Sequence, residues 1–239
     1  MALPKIAAPQ YSLKLPSTGK NIKFRPFLVK EEKLLLMAME TSDENSTIET
    51  IKQIIKDCTN ITVPIDSLPT FDIEYIFLKI RSKSVGESSK VILTAPDDGE
   101  TEVTVEINLA AIEISEDDEH DKTIKLSDNM GMVMKYPSLD TFVKMNITGD
   151  DERDEITQVF DLASDCIDNI YDENQVYPGS DSSKQEKIEF LEQLTSEQFQ
   201  MVQKFFETMP KLMHDVEVVN PNTNVTSTVT LEGLASFFG

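Results

Sequence analysis

The spacing of apolar positions changes repeatedly along the chain, and each change marks a different kind of element. Tyr11–Leu15 and Asn21–Arg25 alternate apolar and polar residues around Pro16-Ser-Thr-Gly-Lys20, which predicts an opening β-hairpin. Pro26 interrupts the second strand and places it at a sheet edge. From Lys30 the spacing turns helical. The run Leu34–Met39 is apolar for almost two turns, too much for one exposed face, so a helix buried on several sides is expected. Ser46 and Glu49 form a capping-box pattern before the next helix, whose Ile48, Ile51, Ile55 and Cys58 share one stripe. A third helix, Phe71–Lys83, keeps only a thin polar stripe of Asp72, Lys79 and Lys83. It should form the centre of an N-terminal helical domain.

The period then becomes two. Lys90–Thr94 and Glu102–Asn108 flank the turn Pro96-Asp-Asp-Gly99, and Glu102, Thr104, Glu106 and Asn108 give the second strand one wet, acidic face. Thr123–Leu126 and Gly131–Tyr136 are also strand-like, with Glu116–Asp121 before them as a solvated loop. Helical spacing returns with Ile156, Val159, Phe160, Ala163, Ile167 and Ile170, while Asp161, Asp165, Asp168 and Asp172 fall on another face. Thr195 with Gln198 predicts a capping box, and Leu194 with Phe199 a hydrophobic staple. The helix they open carries Phe199, Val202, Phe206 and Met209 and stops at Pro210. A last hairpin joins Asp215–Val219 to Val225–Thr230 around Asn220-Pro-Asn-Thr-Asn224. The predicted fold class is therefore α+β. Its expected sections are an N-terminal hairpin and helical domain (1–89), a central acidic antiparallel β section (90–137), and C-terminal helices ending in a β-hairpin (138–239).

Charge sharpens this picture. The 239 residues hold 43 acidic and 22 basic side chains, a net charge of -21. All of that excess lies in two windows, 91–121 and 145–183, each with 11 acids and together only one base, Arg153. An acidic field repels phosphate backbones, which excludes nucleic acid as an expected partner. The windows read either as solvated faces or as docking surfaces for a basic partner. Asp161, Asp165, Asp168 and Asp172 recur at spacings of four, three and four. On a helix such like charges repel by a few tenths of a kcal/mol per pair. This stripe is the candidate for contact with a Lys- or Arg-rich surface.

Enzymatic chemistry finds no constellation. His120 and His214 lie in unrelated contexts, no nucleophile elbow occurs, and the eight glycines form no phosphate loop. Glu116–Asp121 lacks the spacing and turn glycine of an EF-hand loop. Trp is absent. Cys58, on an apolar stripe, is expected to be a core residue, and two cysteines fit a reducing compartment. No apolar stretch nears the ~18 residues of a membrane span, and the N-terminus does not resemble a secretory signal. The expectation is a non-enzymatic protein without cofactors that works through its surfaces.

Four segments together resemble a known family: Phe24-Arg-Pro-Phe-Leu-Val-Lys-Glu-Glu-Lys33, the run Phe71–Gly86, Met132-Val-Met-Lys-Tyr-Pro137, and Phe205-Phe-Glu-Thr-Met-Pro-Lys-Leu212. They are similar to the baseplate hub assembly proteins of T-even-like tailed bacteriophages. The resemblance runs in order from about residue 3 to residue 237. It implies a role in building the central hub of the contractile-tail baseplate, in the host cytoplasm or in the virion baseplate, with other tail or hub proteins as partners. Members are hub components or assembly factors, and a tail assembly chaperone absent from the virion is the alternative. A further alternative, from the charge, is an acidic nucleic-acid mimic that inhibits a host enzyme. The resemblance also implies that many relatives carry a Cys-x-x-Cys pair at the turn of the terminal hairpin, as in a zinc ribbon. Here that turn has no cysteine, so a metal-free hairpin is expected. Phe237 and Phe238 either dock in a partner's apolar groove or cap this protein's own core.

Overall fold

The computed structural model describes residues 7–41, 44–139, 141 and 155–237. Among these, helices and small antiparallel sheets combine in an α+β fold. The chain divides into two compact units. One comprises 1–115 together with 211–239, and the other comprises 116–210. The division differs from three consecutive sections because the terminal hairpin pairs backward, through Lys211↔Ser115 and Leu212↔Ile114.

In the first unit, β1 (Tyr11–Lys14) and β2 (Asn21–Phe24) form the opening hairpin, with Tyr11 opposite Phe24. Three helices follow: α1 (Val29–Thr41), α2 (Glu44–Cys58) and α3 (Thr70–Ser84). The apolar positions that leave α3 almost no polar stripe are buried, including Phe71, Ile76, Phe77, Leu78 and Ile80. Asp72, in its first turn, accepts from the Ser17 amide at 3.0 Å and from the Ser17 hydroxyl, which ties the opening turn to the helix. Strands β3 (Ser88–Thr94) and β4 (Glu102–Asn108) pair in full register. The short β5 (Ile114–Ser115) pairs with the long hairpin of β10 (Lys211–Val219) and β11 (Thr226–Glu232), giving the order β11-β10-β5.

The second unit is a four-stranded sheet of order β6-β7-β8-β9, built from Thr123–Lys125, Gly131–Met134, Ile167–Tyr171 and Val176–Pro178. Among its described residues are also helices α4 (Glu155–Asp165), α5 (Lys184–Glu192) and α6 (Ser196–Thr208). Met132, Met134, Ala163, Ile167, Leu191 and Phe205 meet in its core. The predicted capping box of Thr195 and Gln198 opens α6, with both reciprocal bonds formed. A second box, Ser183 with Glu186, opens α5, a helix the apolar pattern did not mark.

Two expectations are corrected. The apolar run of α1 is not buried on several sides, because α2 is the main element packed against it. Only Ala38 and Glu31 of the described α1 side chains are buried, while Leu34, Leu36 and Met37 are exposed. The helical stripe from Ile156 to Ile170 ends at Asp165 and continues as strand β8. A β-bulge accounts for the helix-like spacing. Asn169 pairs with Val133 and Ile167 with Met134, so Asp168 is an extra residue between them. The bulge turns Ile167 and Ile170, three apart, toward the same core, a spacing that a helix would also give.

Candidate interaction surfaces

The turns of two hairpins in the first unit meet through a set of polar side chains. Asn220, fully buried, donates its Nδ2 to Asp97 Oδ1 at 3.0 Å, Asp97 Oδ2 at 3.2 Å and Asp98 Oδ2 at 2.7 Å. Thr223 Oγ1 donates to Asp97 Oδ2 at 2.5 Å, and Asn222 Nδ2 to Thr101 Oγ1 at 3.0 Å. Asp98 also accepts from Thr101 Oγ1 and from the amides of Glu100 and Thr101. Hydrogen bonds to the ionised form, from Thr101 first for Asp98 and from Thr223 first for Asp97, hold both carboxyls below the usual range. The Asn-rich turn itself closes on Asn220, whose amide donates to the Val225 carbonyl and whose carbonyl and Oδ1 accept from the Asn224 and Asn222 amides, while the amide–carboxylate bonds tie it to the other hairpin. Asn224 supports the turn in the left-handed region, at φ 60°.

A cleft of about 280 Å³ opens between the first hairpin and α3, lined by Tyr11, Phe24, Tyr75, Lys79, Lys83 and Glu113 among others. Three of its polar side chains, Tyr75, Lys79 and Glu113, bond one another. Lys79 Nζ donates to the carbonyls of Ala110 (2.9 Å) and Ile112 (2.6 Å) and to Glu113 Oε1 (3.0 Å), and the Tyr75 hydroxyl donates to Glu113. Burial, and then the Glu113 bond, pushes the Tyr75 phenol above its ordinary range. This cluster fastens α3 to residues 110–113.

The four aspartates of the expected stripe do not share a helix face. Asp161 lies on α4 and pairs with Lys184 Nζ at 3.1 Å. Asp165 is the last residue of that helix. Asp168 is the exposed bulge residue of β8. Asp172 closes the β8–β9 turn, accepting from the amides of Asn174 (2.7 Å) and Gln175 (2.9 Å) and from the Tyr177 hydroxyl (2.9 Å). The self-repulsion that suggested a basic partner therefore loses its geometric basis. Phe237 is fully buried, and Phe238 lies outside the described residues.

Two arrangements escaped the sequence pattern. His120, in the acidic loop, stacks on Tyr136 (centroids 5.6 Å apart) and lies 5.2 Å from Phe205. Its ring nitrogens bond Thr208 Oγ1 at 2.9 Å and the Tyr136 hydroxyl at 3.1 Å. Burial first, and then the Lys122 charge, lowers its pKa. A lone His in a run of acids gives no periodic signal. The second arrangement is the outward side of α1, where Val29, Leu36 and Met37 are 79%, 57% and 54% exposed. The helix is held from its other side by Glu31, which accepts from Arg25 Nη2 and the Leu28 amide, each at 2.8 Å. Burial would raise the Glu31 pKa, but the bonds from Arg25, Leu28 and Lys30 outweigh it and hold it at about 2.

Both cysteines are buried, and burial pushes Cys58 up to about 11 and Cys166 up to about 12, which makes them poor nucleophiles. Among the described residues no group of three or more His, Cys, Asp or Glu side chains is placed to hold a metal. No helix among them is long and apolar enough to cross a membrane.

Comparison with known families turns this into an assignment. The family model described as T4 bacteriophage base plate protein matches residues 8–239. The chain belongs to this family. No curated protein and no solved structure matches it. Membership gives this base plate protein a structural or assembly role in the phage baseplate, with other tail proteins as partners. The match spans both compact units of the base plate protein, so neither is an appended module.

Proposed function

We propose that the protein acts in assembly of the central hub of the contractile-tail baseplate, as a hub subunit or assembly factor working through protein–protein contacts without a reaction of its own. The observation that carries this reading is the family match over residues 8–239. The hub is indicated by the resemblance of Phe24–Lys33, Phe71–Gly86, Met132–Pro137 and Phe205–Leu212 to hub assembly proteins. The exposed apolar side chains of α1 supply the sort of surface such contacts need.

The test is an infection in which the gene is silenced and then complemented. Electron microscopy is expected to show particles lacking complete baseplates, restored by the supplied protein. Normal baseplates without the protein overturn the reading. Mass spectrometry of purified virions beside infected-cell lysate then separates the roles. Presence in both marks a hub subunit built into the particle. Presence in lysate alone marks an assembly factor or chaperone.

A further inference from the structure

Val29, Lys33, Leu36, Met37 and Glu40 follow at spacings of four, three, one and three, which gathers them on one stripe of α1. All five are exposed. The opposite stripe carries the buried Glu31 and Ala38, so the apolar residues of the outer stripe lie outside the buried core of their own unit. A contiguous exposed patch of this composition, bordered by charges, is the mark of a protein contact.

The charges on the stripe say what kind of contact. Lys33 lies three residues before Leu36, and Glu40 lies three after Met37. A two-fold axis passing between Leu36 and Met37 therefore places Lys33 of one chain opposite Glu40 of a second copy, and the converse pair follows by symmetry. The same operation sets Leu36 against Met37 twice, forming the apolar centre. A parallel pairing would instead oppose Lys33 to Lys33. Antiparallel helices also bring opposite macrodipole ends together. The stretch that carries α1, residues 1–90, has 13 basic and 11 acidic side chains, so its own net charge hardly opposes self-association.

We propose that two copies of the chain pair through this face of α1, antiparallel and two-fold symmetric. A single helix pair buries less than a standard interface, so the dissociation constant should be on the order of 0.1 mM.

Sedimentation velocity and light scattering on the full chain, from about 10 µM to 1 mM in about 0.15 M salt, read this directly. The expected result is a monomer–dimer equilibrium. Lys33→Glu and Glu40→Lys should each raise the dissociation constant about tenfold by creating like-charge pairs, and the double exchange should restore it. Leu36→Lys should leave only monomer. All three positions are exposed, and unchanged thermal melts will show that the variants fold. A chain that stays monomeric to the top concentration overturns the proposal. So does a dimer indifferent to the charge exchanges. If the chain is monomeric alone and Leu36→Lys still fails to complement infection, the face belongs to another baseplate protein and self-pairing is wrong.

Discussion

Asn220 bonds two carboxylates that would otherwise repel each other at a pair of hairpin tips, and it does so with a neutral amide in a fully buried position. Changing its nitrogen to oxygen keeps the shape and removes the donor. In Asn220→Asp the new carboxyl lies about 3 Å from Asp97 and Asp98, so its folded pKa rises above the ~4 of the unfolded chain. The folded state then binds more protons, and stability falls as pH rises. The expected outcome is a thermal melt near that of Asn220→Ala at pH 4 and clearly lower at pH 7. Equal penalties at both pH values would contradict it. Asn220→Ala itself should cost about 1–2 kcal/mol. His120 works in the other direction. Its folded pKa is depressed, so the contribution of the neutral ring is fully present above the unfolded value near 6.5 and is lost as pH falls through the folded value. The stability difference between the wild type and His120→Gln should narrow from pH 7 to pH 5. An NMR titration placing the His120 pKa above 6.5 would refute this.

Among elements, the alternating strands were legible because a half-buried strand obliges its side chains to alternate. β3, β4 and β10 lie where Val91, Ile107 and Val216 predict them. The centrality of α3 was equally readable, since a helix with almost no polar stripe has nowhere to go but inside. The Asp stripe was not, for a local reason. The bulge at Asp168 makes a strand imitate helical spacing, and no pattern of Ile167 and Ile170 alone can tell the two apart. The outward side of α1 misled in the opposite sense, because an apolar run shows what burial would gain and not that the chain supplies the cover. Gly179 makes the bulge testable. Its amide donates to the Asp168 carbonyl at 2.7 Å, and an added Cβ would lie 2.9 Å from that oxygen and closer still to the Ile167 carbonyl. Gly179→Ala should therefore destabilise the protein by about 2 kcal/mol, as overpacking does. Asp168→Asn, at an exposed position, should change stability by less than about 0.5 kcal/mol. Urea unfolding of both variants checks the contrast, and a neutral Gly179→Ala would mean that the bulge is not as described.

At the scale of the whole molecule, one unit is continuous in sequence and the other is not. Residues 116–210 hold their own sheet, helices and core. The first unit needs β10 against β5, and Val216, Val218, Leu231 and Phe237 in its core, all from beyond residue 210. Produced as fragments, 116–210 should unfold in a single cooperative transition. Residues 1–115 should bind a hydrophobic dye and aggregate until the 211–239 peptide is added. Circular dichroism and dye fluorescence read both, and a cooperatively folded 1–115 would contradict the assignment. The same discontinuity orders events on the ribosome. After Ser115 is made, almost a hundred residues must be added before its hairpin partners exist, roughly 5–20 s at ordinary elongation rates. During that interval the second unit can complete itself, while the side of α3 that later receives β10 waits uncovered in a crowded cell. Synonymous codons that slow translation between 116 and 210 would lengthen that exposure without changing a single residue, and yield of soluble protein would fall with the delay.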